Sequence, residues 1–144
     1  MATRPIPDGF HTITPYLVLD DLPGFLDFVA RAFDAEELER VTLPDGSVMH
    51  AQVRIGDSPL MTGGVQEDWP AMPALLHLYV EDADAVYVKA LAAGAEPVRE
   101  MQDEFYGDRS GGVKDGWGNI WWIATRKEEL DTDEVARRAA RRGH

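Results

Sequence analysis

A strand, an acidic corner and a helix follow one another twice along this chain, about sixty residues apart. The first copy reads ITPYLVLDDLPGFLDFVARAFDAEE and the second LLHLYVEDADAVYVKALAAGAE. In the second copy Leu76, Leu78 and Val80 alternate with His77 and Tyr79, which is the spacing of a strand with two different faces. A unit that recurs in this way predicts one chain built from two similar halves, called here module one and module two.

Each predicted helix carries its own start signal and apolar stripe. In module two, Asp82 can cap the helix and Gly94 can end it. The apolar positions between them have helical spacing: Val86, Tyr87, Ala90 and Leu91. In module one, the corner is Asp20 and Asp21, and the stripe is Leu22, Phe25, Leu26, Val29 and Phe33. We interpret these aromatic side chains as core.

Three strand-like segments follow each helix. In module one they lie near residues 37–43, 48–55 and 59–62. In module two they lie near 97–101, before a loop predicted at 102–108, and on either side of the glycine-rich turn 115–119. The order strand, helix and three strands, repeated, predicts an α+β fold. A sheet covered by its helix on one face leaves the other face bare, so we expect the two halves to pair around a trough.

The expected boundaries follow from the same pattern. Residues 1–10 form an extended lead-in, module one covers about 11–63, a linker about 64–73 and module two about 74–125, and a short C-terminal helix covers about 131–142. The whole chain of 144 residues is predicted to be a single domain.

Composition bounds the possible partners. The net charge of −12 opposes binding to phosphate backbones and argues against a nucleic-acid partner. No apolar run approaches membrane-spanning length, and no signal peptide is evident, so we expect no membrane partner and a cytoplasmic location. The absence of cysteine excludes disulfides, thiolate nucleophiles and cysteine-bound zinc.

Five stretches together resemble one known group of proteins. They are TPYLVLDD, VMHAQVRIGDS, LYVEDADAV, FYGDRSG and DGWGNIWWIAT, and they span nearly the whole chain. Their layout resembles the vicinal oxygen chelate superfamily, which includes glyoxalase I, extradiol dioxygenases and bleomycin-resistance proteins, and within it the PhnB-like group. The resemblance implies two βαβββ modules that form a curved, cup-shaped mixed sheet with the helices on its outer face. It also implies a homodimer, with the modules paired within one chain or between chains.

The metal-dependent members of that superfamily hold a divalent ion with His, Glu or Gln from the first and last strand of each module. The matching positions here are Thr14, Leu75, Trp122 and either Leu60 or Met61. A hydroxyl and apolar side chains do not supply the imidazoles and carboxylates that such an ion needs. We therefore expect no metal cofactor at the usual site, and this departure argues against the lyase, isomerase or dioxygenase activities of the superfamily.

Strand alternation predicts which side chains line the trough instead. Tyr16, His77, Tyr79 and Trp122 share the inward parity, and the polar face of VMHAQVRI adds three more: His50, Gln52 and Arg54. Two further candidates lie outside these strands. Trp69 occupies a loop that could act as a lid, and Arg109 could lie at the rim, paired with Asp108 or with an anionic ligand group.

The leading interpretation is a metal-independent small-molecule binder, similar to the drug-sequestering antibiotic-resistance proteins, whose ligand is cationic or aromatic. The alternative is a lyase, isomerase or dioxygenase-like enzyme in which His50 and His77 hold a nonstandard divalent metal or perform acid–base catalysis. A third interpretation is a dimeric scaffold whose trough is too narrow for any ligand.

Overall fold

The computed structural model describes residues 3–142. The first two residues of the predicted lead-in lie outside the described residues. The chain divides into two compact units between Ala74 and Leu75. Among residues 3–142, no helix is both long enough and apolar enough to cross a membrane.

Module one is a four-stranded mixed sheet with one helix. The strand order is β1-β4-β3-β2; β1 runs parallel to β4 and the other neighbours are antiparallel. Its elements are β1 (Tyr16–Leu19), α1 (Leu22–Phe33), β2 (Glu36–Thr42), β3 (Val48–Ile55) and β4 (Ser58–Gly64).

Module two repeats this topology. The strand order is β5-β8-β7-β6, again with one parallel pair, formed by β5 and β8. Its elements are β5 (Leu75–Tyr79), α2 (Ala83–Ala92), β6 (Glu96–Asp103), β7 (Asp108–Lys114) and β8 (Ile120–Arg126), followed by α3 (Thr132–Arg141). The predicted α+β fold of two βαβββ modules is confirmed.

Several strand ends differ from the prediction. The first strand begins at Tyr16, whereas the sequence indicated His11. Pro15 lies immediately before it and has no N–H to donate, and only its carbonyl joins the ladder, accepting from the N–H of Met61 at 2.9 Å. β4 continues to Gly64 and β6 to Asp103, so both following loops are shorter than predicted.

The core of module one is formed by helix α1. Asp21 caps the helix, accepting a hydrogen bond from the N–H of Gly24 at 3.2 Å. Seven side chains of the helix are buried: Leu22, Phe25, Leu26, Phe28, Val29, Ala32 and Phe33. They face the buried side of the sheet, which includes Ala51 and Val53 as the alternation of β3 predicted, although Met49 in the same series is 44% exposed.

The core of module two depends more on polar contacts. Helix α2 buries only Ala83, Tyr87 and Ala90. The largest fully buried side chain is Trp121, whose indole N–H donates to Asp115 at 2.8 Å. The buried Asp115 carboxylate also accepts from the backbone N–H groups of Trp117 and Asn119 and from the Asn119 side chain, so it closes the turn between β7 and β8.

The C-terminal helix α3 begins where the capping pattern predicted. Asp131 accepts a hydrogen bond from the N–H of Glu134 at 2.8 Å. The helix buries none of its side chains, and Arg138 attaches it to module two through a two-pronged ion pair with Glu128 at 2.9 and 3.0 Å. A further bond from Arg138 reaches the carbonyl of Phe105 at 3.3 Å.

Candidate functional site

The two faces of the module-two sheet have different roles. On one face, α2 is attached by the hydrogen bond from the N–H of Ala83 to the Thr125 hydroxyl, at 2.9 Å. The opposite face, called here the open face of module two, carries polar and aromatic side chains at matching register positions. His77 lies opposite Trp122, and both Tyr79 and Ser110 lie opposite Ala124.

A tyrosine and a buried carboxylate form the central contact of this open face. The Tyr79 hydroxyl donates to Oδ2 of Asp108 at 3.1 Å. Asp108 is only 5% exposed, whereas Tyr79 is 66% exposed, so the ring faces solvent while its hydroxyl contacts the buried acid. Burial raises the pKa of Tyr79, and the hydrogen bond and negative charge of Asp108 raise it further. Tyr79 is therefore held as a neutral donor, with the His77 ring 4.7 Å away.

An open cleft of about 670 Å³ lies beside this pair, at the carboxyl ends of β5 and β8 and the start of β7. Its walls include aromatic, acidic and basic side chains, and it is lined by Tyr79, Val80, Glu81, Tyr106, Asp108, Thr125 and Arg126. Burial also raises the pKa of Tyr106, with the Glu104 and Asp108 carboxylates adding to the effect. The cleft thus combines two phenol groups with one buried carboxylate, on a scale suited to a small molecule.

Trp122 lies further along the open face in a second cluster. Its indole N–H donates to the Ser110 hydroxyl at 3.1 Å. A Cβ atom on Gly112 would come within 2.8 Å of the benzo ring, so the indole lies against the backbone of β7 where only glycine leaves room. The Arg99 guanidinium carbon is 5.6 Å from the ring centroid, and Arg99 is held by the buried Glu104 at 3.0 Å.

The ion pairs of Arg109 differ from those expected from the sequence. It does not pair with Asp108, but with Asp84 through two bonds of 2.8 and 3.0 Å, and with Asp103 at 3.3 Å. Strand alternation explains the difference, because Arg109 is opposite Thr125 on the helix side of β7 whereas Asp108 faces the other way. Its two carboxylates raise the pKa of Arg109, and the group ties α2 to the sheet instead of facing the cleft.

The predicted residues of module one form a different arrangement. Tyr16, His50 and Gln52 make a chain in which the Tyr16 oxygen is 3.4 Å from Nδ1 of His50, and Nε2 of His50 is 3.3 Å from the Gln52 amide. Both imidazole nitrogens therefore have partners. The Tyr16 phenol lies close to Gly63, where a Cβ atom would crowd its oxygen.

The other two candidates of module one lie apart from this chain. Arg54 pairs with Glu36 at 2.5 Å across the edge of the sheet. Trp69 forms a backbone bridge with Gln66 through two hydrogen bonds of 3.0 Å, and its side chain is 59% exposed.

Sequence reasoning missed Tyr106, Glu104, Arg99 and Arg126, and named Asp108 only as a partner for Arg109. A signal for Asp108 was present in the spacing of DRSGG, because Asp108, Ser110 and Gly112 alternate along one face of a strand. The interactions of Arg99 and Glu104 had no such signal, since register shifts on either side of Arg99 interrupt the alternation of β6.

The four positions that match metal-ligand positions do not fit a divalent ion. Leu75 is 69% exposed, the Trp122 N–H is bonded to Ser110, and Thr14 precedes the first strand. Within residues 3–142, no three His, Asp or Glu side chains lie close enough together to hold a metal. The fourth position, Leu60 or Met61, adds only an apolar side chain, so these positions lack the imidazoles and carboxylates that a divalent ion needs.

Comparison with protein families identifies the architecture. Residues 9–123 match the family model of the glyoxalase/bleomycin resistance protein/dioxygenase superfamily. The chain belongs to this superfamily. An uncharacterized protein of Mycobacterium bovis is 39% identical over 134 residues, covering 85% of this chain and 88% of the relative. An uncharacterized protein of Mycobacterium tuberculosis strain H37Rv is also 39% identical and is covered over 79% of its length.

Two solved structures share the fold. TioX from Micromonospora sp. ML1 superposes with a TM-score of 0.71 at 24% identity, covering 81% of this chain and 98% of TioX. A PhnB protein from Bacillus cereus superposes with a TM-score of 0.64 at 20% identity, covering 80% of this chain and 99% of that protein. At these identities the likeness concerns the fold alone.

Proposed function

We propose that this superfamily member is a metal-independent small-molecule binding protein whose ligand occupies the cleft of module two. The observation that carries the proposal is the combination, in one cleft of about 670 Å³, of the Tyr79 and Tyr106 phenols with the buried Asp108 carboxylate. Sites for small molecules are typically concave, with aromatic walls and a few fixed polar groups.

The charge of Asp108 indicates the class of ligand. Within residues 3–142 Asp108 forms no ion pair, and its side-chain partner is the neutral hydroxyl of Tyr79. A buried carboxylate without a counter-ion is electrostatically unfavourable. A ligand ammonium group would supply the missing positive charge, and tyrosine rings beside it would stabilise the cation further. The proposed ligand is therefore an aromatic or apolar amine.

Titration calorimetry with phenethylamine, a small aromatic amine, tests this proposal. We expect saturable binding that weakens at least tenfold in Asp108→Asn, which keeps an acceptor for the Tyr79 hydroxyl but removes the charge. The matched control is Glu96→Gln, because Glu96 is an exposed carboxylate of β6 that does not line the cleft. Circular dichroism and a melting curve check that each variant is folded.

The same measurement in excess chelator tests metal independence. Unchanged affinity supports a binder that uses only its own side chains. Binding that required added zinc or nickel, and that disappeared in a His50→Ala, His77→Ala double variant, would instead support the enzyme-like alternative. Equal affinity of wild type and Asp108→Asn for phenethylamine would contradict the proposal that the Asp108 carboxylate in the cleft binds the ligand.

The homodimer implied by the superfamily resemblance belongs to this proposal as well. Sedimentation of the full chain measures the oligomeric state directly. A monomeric result would contradict the homodimer without affecting the binding proposal, because the residues proposed to line the cleft all belong to module two.

A further inference from the structure

Two opposite charges face each other in the cleft without pairing. Asp108 and Arg126 are directly opposite in the register of β7 and β8. Partners at such positions have Cα atoms only about 4.5–5.5 Å apart. Both side chains line the cleft. Nevertheless, no ion pair joins them, and Arg126 makes no ion pair with any other residue in the part of the chain from 3 to 142.

The Tyr79 hydroxyl interacts with both of these groups. Asp108 bonds to Tyr79, and the Arg126 charge acts on that same phenol, lowering its pKa against the larger opposing effects of burial and Asp108. The guanidinium therefore lies near the Tyr79 hydroxyl but makes no bond to the acid. The cleft presents a carboxylate at one point and an unpaired guanidinium at another.

From this geometry we infer that the ligand of the cleft is zwitterionic, with an ammonium group bound to Asp108 and a carboxylate bound to Arg126. This inference rests on the proposed function and narrows it from amines to amino-acid-like molecules. A guanidinium binds a carboxylate with two parallel N–H bonds, which adds geometric selectivity to charge. The phenols of Tyr79 and Tyr106 would border the organic part of the molecule between these two groups.

An alternative explanation is that Arg126 is an exposed side chain that interacts only with water. The position of the adjacent lysine argues against this explanation. The next residue, Lys127, is also exposed, but it lies outside the lining of the cleft and its charge acts on Asp84 of helix α2. The chain thus places one cation toward the helix and the other toward the buried acid. Lys127 provides a control that removes the same charge from an adjacent position.

Three matched probes test the inference by titration calorimetry on the full chain. L-phenylalanine carries both charges, phenethylamine lacks the carboxylate, and 3-phenylpropionate lacks the ammonium group. We expect L-phenylalanine to bind at least tenfold more tightly than phenethylamine, and 3-phenylpropionate to bind most weakly because it meets the Asp108 charge.

Variants of the two basic residues distinguish binding of the ligand carboxylate from binding of its ammonium group. Arg126→Gln should weaken L-phenylalanine at least tenfold and leave phenethylamine within twofold, while Lys127→Gln should change neither. If phenethylamine binds as tightly as L-phenylalanine and Arg126→Gln has no effect, the zwitterion inference is wrong and the proposed binding of amines stands. If neither amine binds to wild type at millimolar concentration, both are wrong.

Discussion

Modules one and two have the same strand order and the same pairing directions, but their helices are held in different ways. Helix α1 buries seven apolar side chains, whereas α2 buries three. Module two compensates with directed polar contacts: Arg109 ties α2 to β7, and Asp115 closes the turn beside Trp121. The topology therefore depends on the repeated strand and helix pattern, and not on one particular kind of core.

The hydrogen-bonded groups around Tyr16 in module one and Tyr79 in module two also differ. In module one, Tyr16 bonds to an imidazole, in a chain of exposed or half-buried groups that ends at Gln52. In module two, Tyr79 bonds to a buried carboxylate beside a cleft. The comparison indicates that the module with fewer apolar helix contacts also has the buried charges that could recognise a ligand. The following predictions test this contrast.

The largest expected effect concerns the helix of module one. Phe25→Ala should lower the free energy of unfolding by about 3–5 kcal/mol, because Phe25 is fully enclosed and its loss leaves a cavity. Tyr87→Ala in α2 should cost less, since Tyr87 retains some contact with solvent and water can fill part of the space. Urea unfolding measures both. Equal losses would show that the two helices are held equally strongly and would contradict a difference between the two cores.

A smaller effect is expected at the turn of module two. Asp115→Ala should cost about 2–3 kcal/mol, because four N–H groups lose a charged acceptor in a buried position. The corresponding turn of module one supplies the control. Asp57 is exposed and accepts a hydrogen bond from the Ser58 hydroxyl, so Asp57→Ala should change the free energy of unfolding by no more than about 0.5 kcal/mol.

Unfolding curves for both turn variants should be followed by tryptophan fluorescence and by circular dichroism. A loss of similar size at both turns would mean that the polar network around Asp115 is not a distinctive support of module two.

The smallest effect is a dependence on alkaline pH. The folded-state pKa of Tyr79 is raised above the ordinary value of 10.0, so its contribution to stability is complete below about pH 10 and is lost as pH rises through the folded-state pKa. Tyr79→Phe should therefore reduce the decline in stability above pH 10. Tyr87 and Tyr106 have pKa values raised by burial as well, so part of the decline should remain.

Tyr16→Phe is the matched control for this measurement, because it removes a hydroxyl whose partner is an imidazole instead of a carboxylate. Melting temperatures at intervals from pH 8 to pH 11 provide the readout. An identical alkaline decline in wild type and Tyr79→Phe would contradict the coupling of Tyr79 to Asp108.

Much of the fold could be predicted because it depends on local periodicity. The alternation of β3 and β5 and the acidic helix caps are each visible within a few residues, and their recurrence indicated two βαβββ modules. The start of β1 was wrong because alternation continues through His11 to Pro15, whereas the hydrogen-bonded ladder begins only after the proline.

The candidate site was harder to predict from the sequence, because the face on which each side chain lies depends on the residue at which its strand begins. A loop predicted to end at Asp108 obscured the face on which that carboxylate lies, and the same uncertainty directed attention to Arg109. Once β7 begins at Asp108, parity assigns the acid to the open face and the arginine to the helix side. The contacts of Glu104 and Arg99 depend on a bulged register, which has no local sequence signal.

The absence of an ion pair between Asp108 and Arg126 suggests how the thermal stability of this protein could be increased. Charged groups without an ion-pair partner in the free protein lower its stability, and a binding site can retain them at that cost because they recognise the ligand. Replacing both groups by neutral residues of similar shape would remove the unpaired buried acid and should give a molecule that withstands heat better. Under the proposed function the same replacement abolishes ligand binding, so stability at high temperature and ligand recognition oppose each other at this position.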